Sequence, residues 1–162
     1  MVNEKEVLDY LVNKVETLME DRGIKTWYMA YYSDMGEYYF RKFLKRKFLP
    51  NTWNLILIAE LLDCTVNNLL GYSSYNKRLK TPASGICMAQ RHIISDLGVE
   101  IMNRINELGI STSELAYRVG VSEYSIRSWI TCRYDSFSKT STIMLLRICD
   151  ALECTPSDLL GY

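Results

Sequence analysis

The feature that most constrains the fold of this 162-residue chain is an internal repeat. The closing residues LLGY at 159–162 copy LLGY at 69–72, and matching residues continue upstream at a constant offset of 90 positions. The pairs identical at this offset include Leu55 and Leu145, Ile58 and Ile148, Leu62 and Leu152, Cys64 and Cys154, and Thr65 and Thr155. A colinear match of this kind predicts two copies of one small domain in place of a single larger fold.

A second block of matches lies farther upstream, where a small insertion changes the offset to 86 positions. The identical pairs in this block are Gly23 and Gly109, Ile24 and Ile110, Thr26 and Thr112, Ala30 and Ala116, Tyr31 and Tyr117, Glu37 and Glu123, Tyr38 and Tyr124, and Arg41 and Arg127. The predicted organisation is a first domain at 1–72, a linker at 73–90 rich in Ser, Lys, Pro and Gly, and a second domain at 91–162. A domain of about 70 residues can form a single core, although so small a core is only marginally stable.

The composition is that of a globular protein, with 48% hydrophobic and 23% charged residues. No apolar run reaches the roughly 18 residues that a membrane span needs. The N-terminal residues include several acids and lack the basic start and apolar core of a signal peptide. We therefore expect a cytoplasmic protein with no membrane partner.

Residues that commonly carry metals or catalysis are few. Five cysteines occur without a Cys-x-x-Cys pair, and His92 is the only histidine. Together with the lack of paired acids or a phosphate loop, these counts favour a protein that is not an enzyme and has no cofactor or metal. Cys64 and Cys154, at matching positions between helical segments, are expected to be buried, reduced thiols.

Apolar residues recur at three- and four-residue spacing in both repeats, which predicts an all-α fold with five short helices in each. The turn between the second and third helices of the second repeat contains Gly120, which tolerates the positive φ of a sharp turn; the first repeat has Asp34 there. Thr26 is predicted to cap the second helix of the first repeat. Thr155 followed by Pro156 predicts the start of the last helix.

Each predicted third helix carries two apolar residues three positions apart, which places both on one face. These are Phe40 and Phe43 in the first repeat, and Ile126 and Trp129 in the second. We expect these pairs to anchor the third helices to the core and to leave the opposite face of each helix exposed.

The second repeat, which reads ISTSELAYRVGVSEYSIRSWI from Ile110, resembles the lambda-repressor-like family of Cro- and Xre-type helix-turn-helix domains. The residues that carry the resemblance are Leu115, Ala116, Gly120, Val121, Ser122, Ile126, Trp129, Leu145, Ile148, Ala151, Leu152, Asp158, Leu159 and Leu160. The first repeat is included through its match to the second, although Asp34 replaces the turn glycine and five tyrosines make it unusually aromatic. The resemblance implies two tandem five-helix domains that bind double-stranded DNA.

In this family the start of the second helix, the exposed face of the third helix and the loop after it contact DNA. An α-helix fits the major groove, and the amides of a helix N-terminus can meet a phosphate. In the second repeat the resemblance implies contacts from Thr112, Ser122, Glu123, Tyr124, Arg127, Ser128 and Arg133. In the first repeat it implies Thr26, Gly36, Glu37, Tyr38, Arg41 and Lys42, with Lys45, Arg46 and Lys47 close to backbone phosphates. These positions, and the basic run itself, also fit an ordinary solvated helix face.

The leading hypothesis is a sequence-specific transcriptional regulator, a repressor of phage or mobile-element type. The two repeats would supply both half-sites of an operator as an intramolecular pseudo-dimer, or the chain would form a homodimer of tandem pairs. The basic cluster at 41–47 favours the first repeat as the phosphate binder, whereas the closer resemblance favours the second as the base reader. Whether one or both repeats bind DNA stays open at this point.

The alternative is a protein-interaction module on the same scaffold, such as an antirepressor or an inhibitor of a nucleic-acid-binding enzyme. The zero net charge and the acidic Glu37 and Glu123 support it. Tyr28, Tyr31 and Tyr32 cannot all be buried by one short helix, so some of them are expected to be exposed. Exposed tyrosines suggest an interface with the other repeat, a second subunit or a protein partner.

Overall fold

The computed structural model describes residues 3–72, 86–131, 137 and 139–160, with the backbone alone for 86–96. In the first half, the helices are α1 (Glu4–Asp21), α2 (Thr26–Tyr32), α3 (Gly36–Leu44), α4 (Thr52–Leu61) and α5 (Val66–Leu70). In the second half, they are α6 (Ile86–Leu108), α7 (Thr112–Val119), α8 (Glu123–Ile130), α9 (Thr142–Ala151) and α10 (Pro156–Leu160). No strand occurs in these ranges, which confirms the prediction of an all-α protein.

Helix α6 begins earlier than the sequence analysis placed it. It starts at Ile86, so residues 86–90, assigned to the linker, belong to this helix. Neither glycine nor proline occurs between Gly85 and Gly98, so no residue there ends a helix.

The turns that precede α3 and α8 have the backbone that the sequence indicated. Gly120 adopts a φ of 79°, and Asp34 adopts a φ of 60° at the matching position. The predicted capping role of Thr26 is wrong, because the N-cap of α2 is Lys25, which makes no side-chain capping bond. In the second half the matching residue is Ser111, whose hydroxyl accepts from the Glu114 N–H at 3.1 Å. Lysine has no acceptor to offer, so α2 begins without a cap.

The anchoring residues of α3 and α8 lie in the core as predicted. Phe40, Phe43 and Ile126 are completely buried, and Trp129 is 8% exposed. Trp129 packs edge-on against Phe137, with 5.7 Å between the ring centroids. The alanines at 30 and 116 are also buried, where α2 meets α3 and α7 meets α8.

The cysteines depart from the expectation. Cys64 and Cys154 are free but only half-buried, whereas Cys149 is fully buried. Partial burial raises the pKa of the Cys64 thiol to about 11, so it stays protonated near neutral pH. The side chains of Cys87, His92 and Cys132 lie outside the described residues.

The two halves meet through α4 and α5 on one side and α9 and α10 on the other. At the first residue of α4, the N–H and the hydroxyl of Thr52 both donate to the Thr140 carbonyl, at 2.8 and 2.9 Å. In return, the hydroxyl of Thr142 donates to the Pro50 carbonyl at 2.8 Å. Thr52 matches Thr142, and Pro50 matches Thr140, at the repeat offset of 90. The contact is therefore reciprocal.

A second reciprocal pair joins α5 to α10. The Asn67 N–H donates to the Ser157 hydroxyl at 3.0 Å, and the Ser157 N–H donates to the Asn67 side-chain oxygen at 2.9 Å. The Asn67 amide also donates to the Thr155 hydroxyl at 2.9 Å. Exchange of equivalent contacts is the property of an isologous interface, as in a two-fold symmetric dimer. Here both sides belong to one chain.

Candidate nucleic-acid interface

Glu123 connects the start of α7 to the exposed face of α8. Its carboxylate accepts from the hydroxyls of Thr112 and Ser113 at 2.9 and 2.7 Å. It also accepts from Nε and Nη2 of Arg127 at 3.0 and 2.7 Å. The bonds from Ser113, Arg127 and Thr112 lower the pKa of Glu123 to about 2, so the carboxylate stays ionised near neutral pH. Hydrogen bonds thus join four polar side chains, which we call the Glu123 cluster: Thr112, Ser113, Glu123 and Arg127.

Most of the other predicted residues in the second half lie on α8 or at its start. Tyr124 is 71% exposed, and the Arg127 side chain is 69% exposed. Ser122 caps α8, because its hydroxyl accepts from the Ser125 N–H at 3.2 Å. Ser128 is half-buried on the same helix, and Arg133 lies outside the described residues. The exposed face of α8 is therefore polar and opposite to its buried Ile126.

The first half repeats the central pair of this surface. On α3, Nε and Nη2 of Arg41 donate to the Glu37 carboxylate at 2.9 and 2.6 Å. Tyr38 is 64% exposed, and the Lys42 ammonium lies 4.4 Å from the centre of its ring. The hydrogen bond with Tyr38 is the main cause of a raised pKa at Lys42. The Glu–Tyr–Arg arrangement is thus presented by both halves. Of the other predicted residues in the first half, Thr26 is half-buried and Gly36 is exposed.

The basic residues at 41–47 fall into two groups. Arg46 turns back to α1, where it pairs with Asp9 at 3.3 Å and Glu16 at 3.7 Å and donates to the Asn13 side chain. Lys45 and Lys47 on either side of it are exposed. A guanidinium that already faces two carboxylates is poorly suited to neutralise a phosphate. The structure therefore separates Arg46 from the other basic residues predicted for this surface.

Some residues at these surfaces were missed by the sequence reasoning. Ser113 donates one of the hydroxyl hydrogen bonds to Glu123, and the available signal was a polar residue next to Thr112 at a helix start.

The sequence reasoning also missed the residues that join the two halves. Thr52 and Thr142 do so, and their identity at the offset of 90 was visible in the sequence. Asn67 and Ser157 differ in type, so no repeat match marked them.

Residues 100–162 match the family model of the Cro/C1-type HTH DNA-binding domain. The matched range contains α7, the Gly120 turn and α8, and therefore the whole Glu123 cluster. This match supports the assignment of the second half to the Cro/C1-type helix-turn-helix domains and a role in DNA binding. No curated protein and no solved structure matches the chain. Among the described helices, none has the length and apolar character needed to cross a membrane.

Proposed function

We propose that this protein is a sequence-specific DNA-binding transcriptional regulator, a repressor of phage or mobile-element type, that places α3 and α8 in the major groove. The family match of residues 100–162 supports DNA binding by the second half. The observation that carries the proposal for the whole chain is the repeated surface, with Glu37 and Arg41 paired on α3 as Glu123 and Arg127 are on α8. The shared fold is enough to explain why the two halves have core residues in common. The fold does not require an exposed ion pair, so its presence in both halves supports a common ligand.

The two halves are proposed to be tandem helix-turn-helix domains that act as an intramolecular pseudo-dimer. The reciprocal bonds of Thr52 with Thr140 and of Thr142 with Pro50 support this arrangement. A two-fold arrangement of two reading helices matches an inverted pair of half-sites, about 34 Å apart along one face of the duplex. The buried hydrogen bonds between the halves would keep this spacing fixed.

Affinity and specificity would come from different groups. Lys45 and Lys47 would neutralise phosphates, and the amides at the start of α7 would contact another phosphate. Arg41 and Arg127 would contact base edges, because a guanidinium can form two hydrogen bonds with guanine. Glu37 and Glu123 would hold these guanidinium groups in one orientation before DNA binds. No catalytic step is part of this function.

The test is selection of the full-length protein on a random duplex DNA library, with the enriched sequences retested at several salt concentrations. We expect an enriched motif with two inverted half-sites at one fixed spacing. A single enriched half-site would contradict the pseudo-dimer and leave one half as the DNA reader. No enrichment, with weak salt-sensitive binding alone, would overturn the proposal in favour of a protein-interaction module.

Arg127→Ala is expected to reduce discrimination at one base pair of the operator by roughly tenfold or more, with little change in nonspecific affinity. The reason is that Arg127 is exposed on α8 and oriented by Glu123. Quantitative binding to operators mutated one base pair at a time measures the effect. Arg118→Ala is the matched control, because Arg118 forms the same kind of ion pair with Glu114 at 2.9 Å on α7. Equal effects of the two substitutions would show that Arg127 does not read a base.

Replacing Lys45 and Lys47 together by alanine is expected to lower the salt dependence of DNA binding. Two lost phosphate contacts would reduce the slope of log K against log salt concentration by roughly 1.8. Arg46→Ala serves as the control, because its guanidinium is directed to Asp9 and Glu16. A slope that changes with Arg46 and not with the lysines would reverse this assignment.

A further inference from the structure

We propose that a cleft between α2 and α4 of the first half binds an arginine side chain presented by a protein partner. The cleft has a volume of about 190 Å³ and is lined by Tyr28, Tyr32, Leu57, Glu60 and Leu61. It does not include the residues that carry the proposed DNA contacts. The proposal is therefore independent of the function argued above.

The aromatic wall of the cleft is part of a larger exposed surface. The rings of Tyr28 and Tyr32 lie 4.5 Å apart between centroids, and Trp27 and Tyr31 contact them edge-on at 5.9 and 4.9 Å. Trp27 is 62% exposed and Tyr31 is 75% exposed. Contiguous exposed aromatic side chains are typical of interaction sites, where flat rings supply contact area with little loss of conformational freedom.

Glu60 gives the cleft its charge. Its carboxylate is half-buried against the apolar lining, and this burial raises its pKa. Within the described residues, neither a cation nor a hydrogen-bond donor pairs with this carboxylate. A partly buried, unpaired carboxylate beside aromatic faces attracts a cation that has an apolar stem. Arginine fits best, because its planar guanidinium can stack on tyrosine and bind a carboxylate through two hydrogen bonds.

The residues that line the cleft are not shared by the matching positions of the second half. The residues that match the cleft lining there are Glu114, Arg118, Arg147, Asp150 and Ala151. Glu114 and Arg118 form an ion pair at 2.9 Å in place of the two tyrosines. The first half thus has Tyr32 and Leu57 where the second half has Arg118 and Arg147, and both halves have an acid at the position of Glu60. An acid without neighbouring cations in the lining provides the charge complementarity for an incoming guanidinium.

Selection of a random displayed peptide library on the full-length protein tests the proposal. We expect enriched peptides that contain an arginine, and affinities that fall about tenfold when this arginine is replaced by citrulline, its neutral isostere. Glu60→Gln should cause a similar loss, because it removes the charge and keeps the shape. The matched control Asp150→Asn, on the second half, should leave peptide affinity unchanged.

A second variant and a second measurement keep the result interpretable. Tyr28→Glu with Tyr32→Arg installs the ion pair that the second half already tolerates, and it should abolish peptide binding with circular dichroism and DNA affinity unchanged. Enriched peptides without a basic residue, affinities insensitive to Glu60→Gln, or no enrichment would each overturn the proposal. Sedimentation that shows a self-associated form lost in the double variant would overturn it too, because the occupant would then be a second copy.

Discussion

Trp129→Ala is expected to lower the free energy of unfolding of the second half by about 3–5 kcal/mol. Trp129 is 8% exposed, packs edge-on against Phe137 and fixes α8 to the core. Truncation removes a large buried apolar surface and leaves a cavity that the helices around it cannot fully close. Urea denaturation followed by circular dichroism measures the loss.

The matched control for this substitution lies on the same helix. Tyr124→Ala removes an aromatic ring that is 71% exposed, and we expect a change within about 0.5 kcal/mol. If Trp129→Ala costs no more than this control, α8 is not anchored as the structure places it. The pair of variants thus separates the buried face of α8 from its exposed face.

Asn67→Ala is expected to lower the free energy of unfolding by about 1–3 kcal/mol, because it leaves the buried Ser157 N–H without its acceptor. It also removes the bond from the Asn67 amide to the Thr155 hydroxyl. Since these bonds join α5 to α10 and to the residue just before it, the variant should in addition loosen one half against the other. Amide hydrogen exchange at Ser157, measured together with denaturation, reports both effects.

Asn68→Ala is the control for this substitution, because Asn68 is the exposed neighbour on α5. The proposed function adds a second expectation for Asn67→Ala. Compared with the parent protein, this variant should bind more tightly to operators whose half-sites are one base pair closer together or farther apart. Slow exchange at Ser157 that persists in Asn67→Ala would contradict the role assigned to this hydrogen bond.

The helices and the core could be predicted from the sequence because the patterns that indicate them are local. The three-residue spacing of Ile126 and Trp129 predicted one buried face, and both side chains are buried. The match of Asp34 to Gly120 predicted a positive φ at a residue other than glycine, and Asp34 has one. Local periodicity and turn chemistry act over a few residues, so one sequence is enough to reveal them.

The contacts that the sequence did not reveal are those between distant residues. Arg46 was grouped with its lysine neighbours, although its partners Asp9 and Glu16 lie on another helix. The bond between Asn67 and Ser157 joins residues 90 positions apart with different side chains. Nothing in composition or spacing states which polar groups will meet once helices pack. The sequence was enough to propose the residues of the candidate site. It did not predict the hydrogen bonds from Thr112 and Ser113 to Glu123.

The aromatic cleft would make the two ends of a DNA-bound molecule different from each other. Two separate identical chains on an inverted repeat would present the same surface upstream and downstream. Here Tyr28 and Tyr32 lie on the first half alone, and Glu114 and Arg118 take their positions on the second. A complex with one such molecule would therefore be asymmetric, and on an operator whose two half-sites differ in sequence a partner held at the cleft would lie on one flank only. Reversing such an operator would then move that partner to the other side of a promoter.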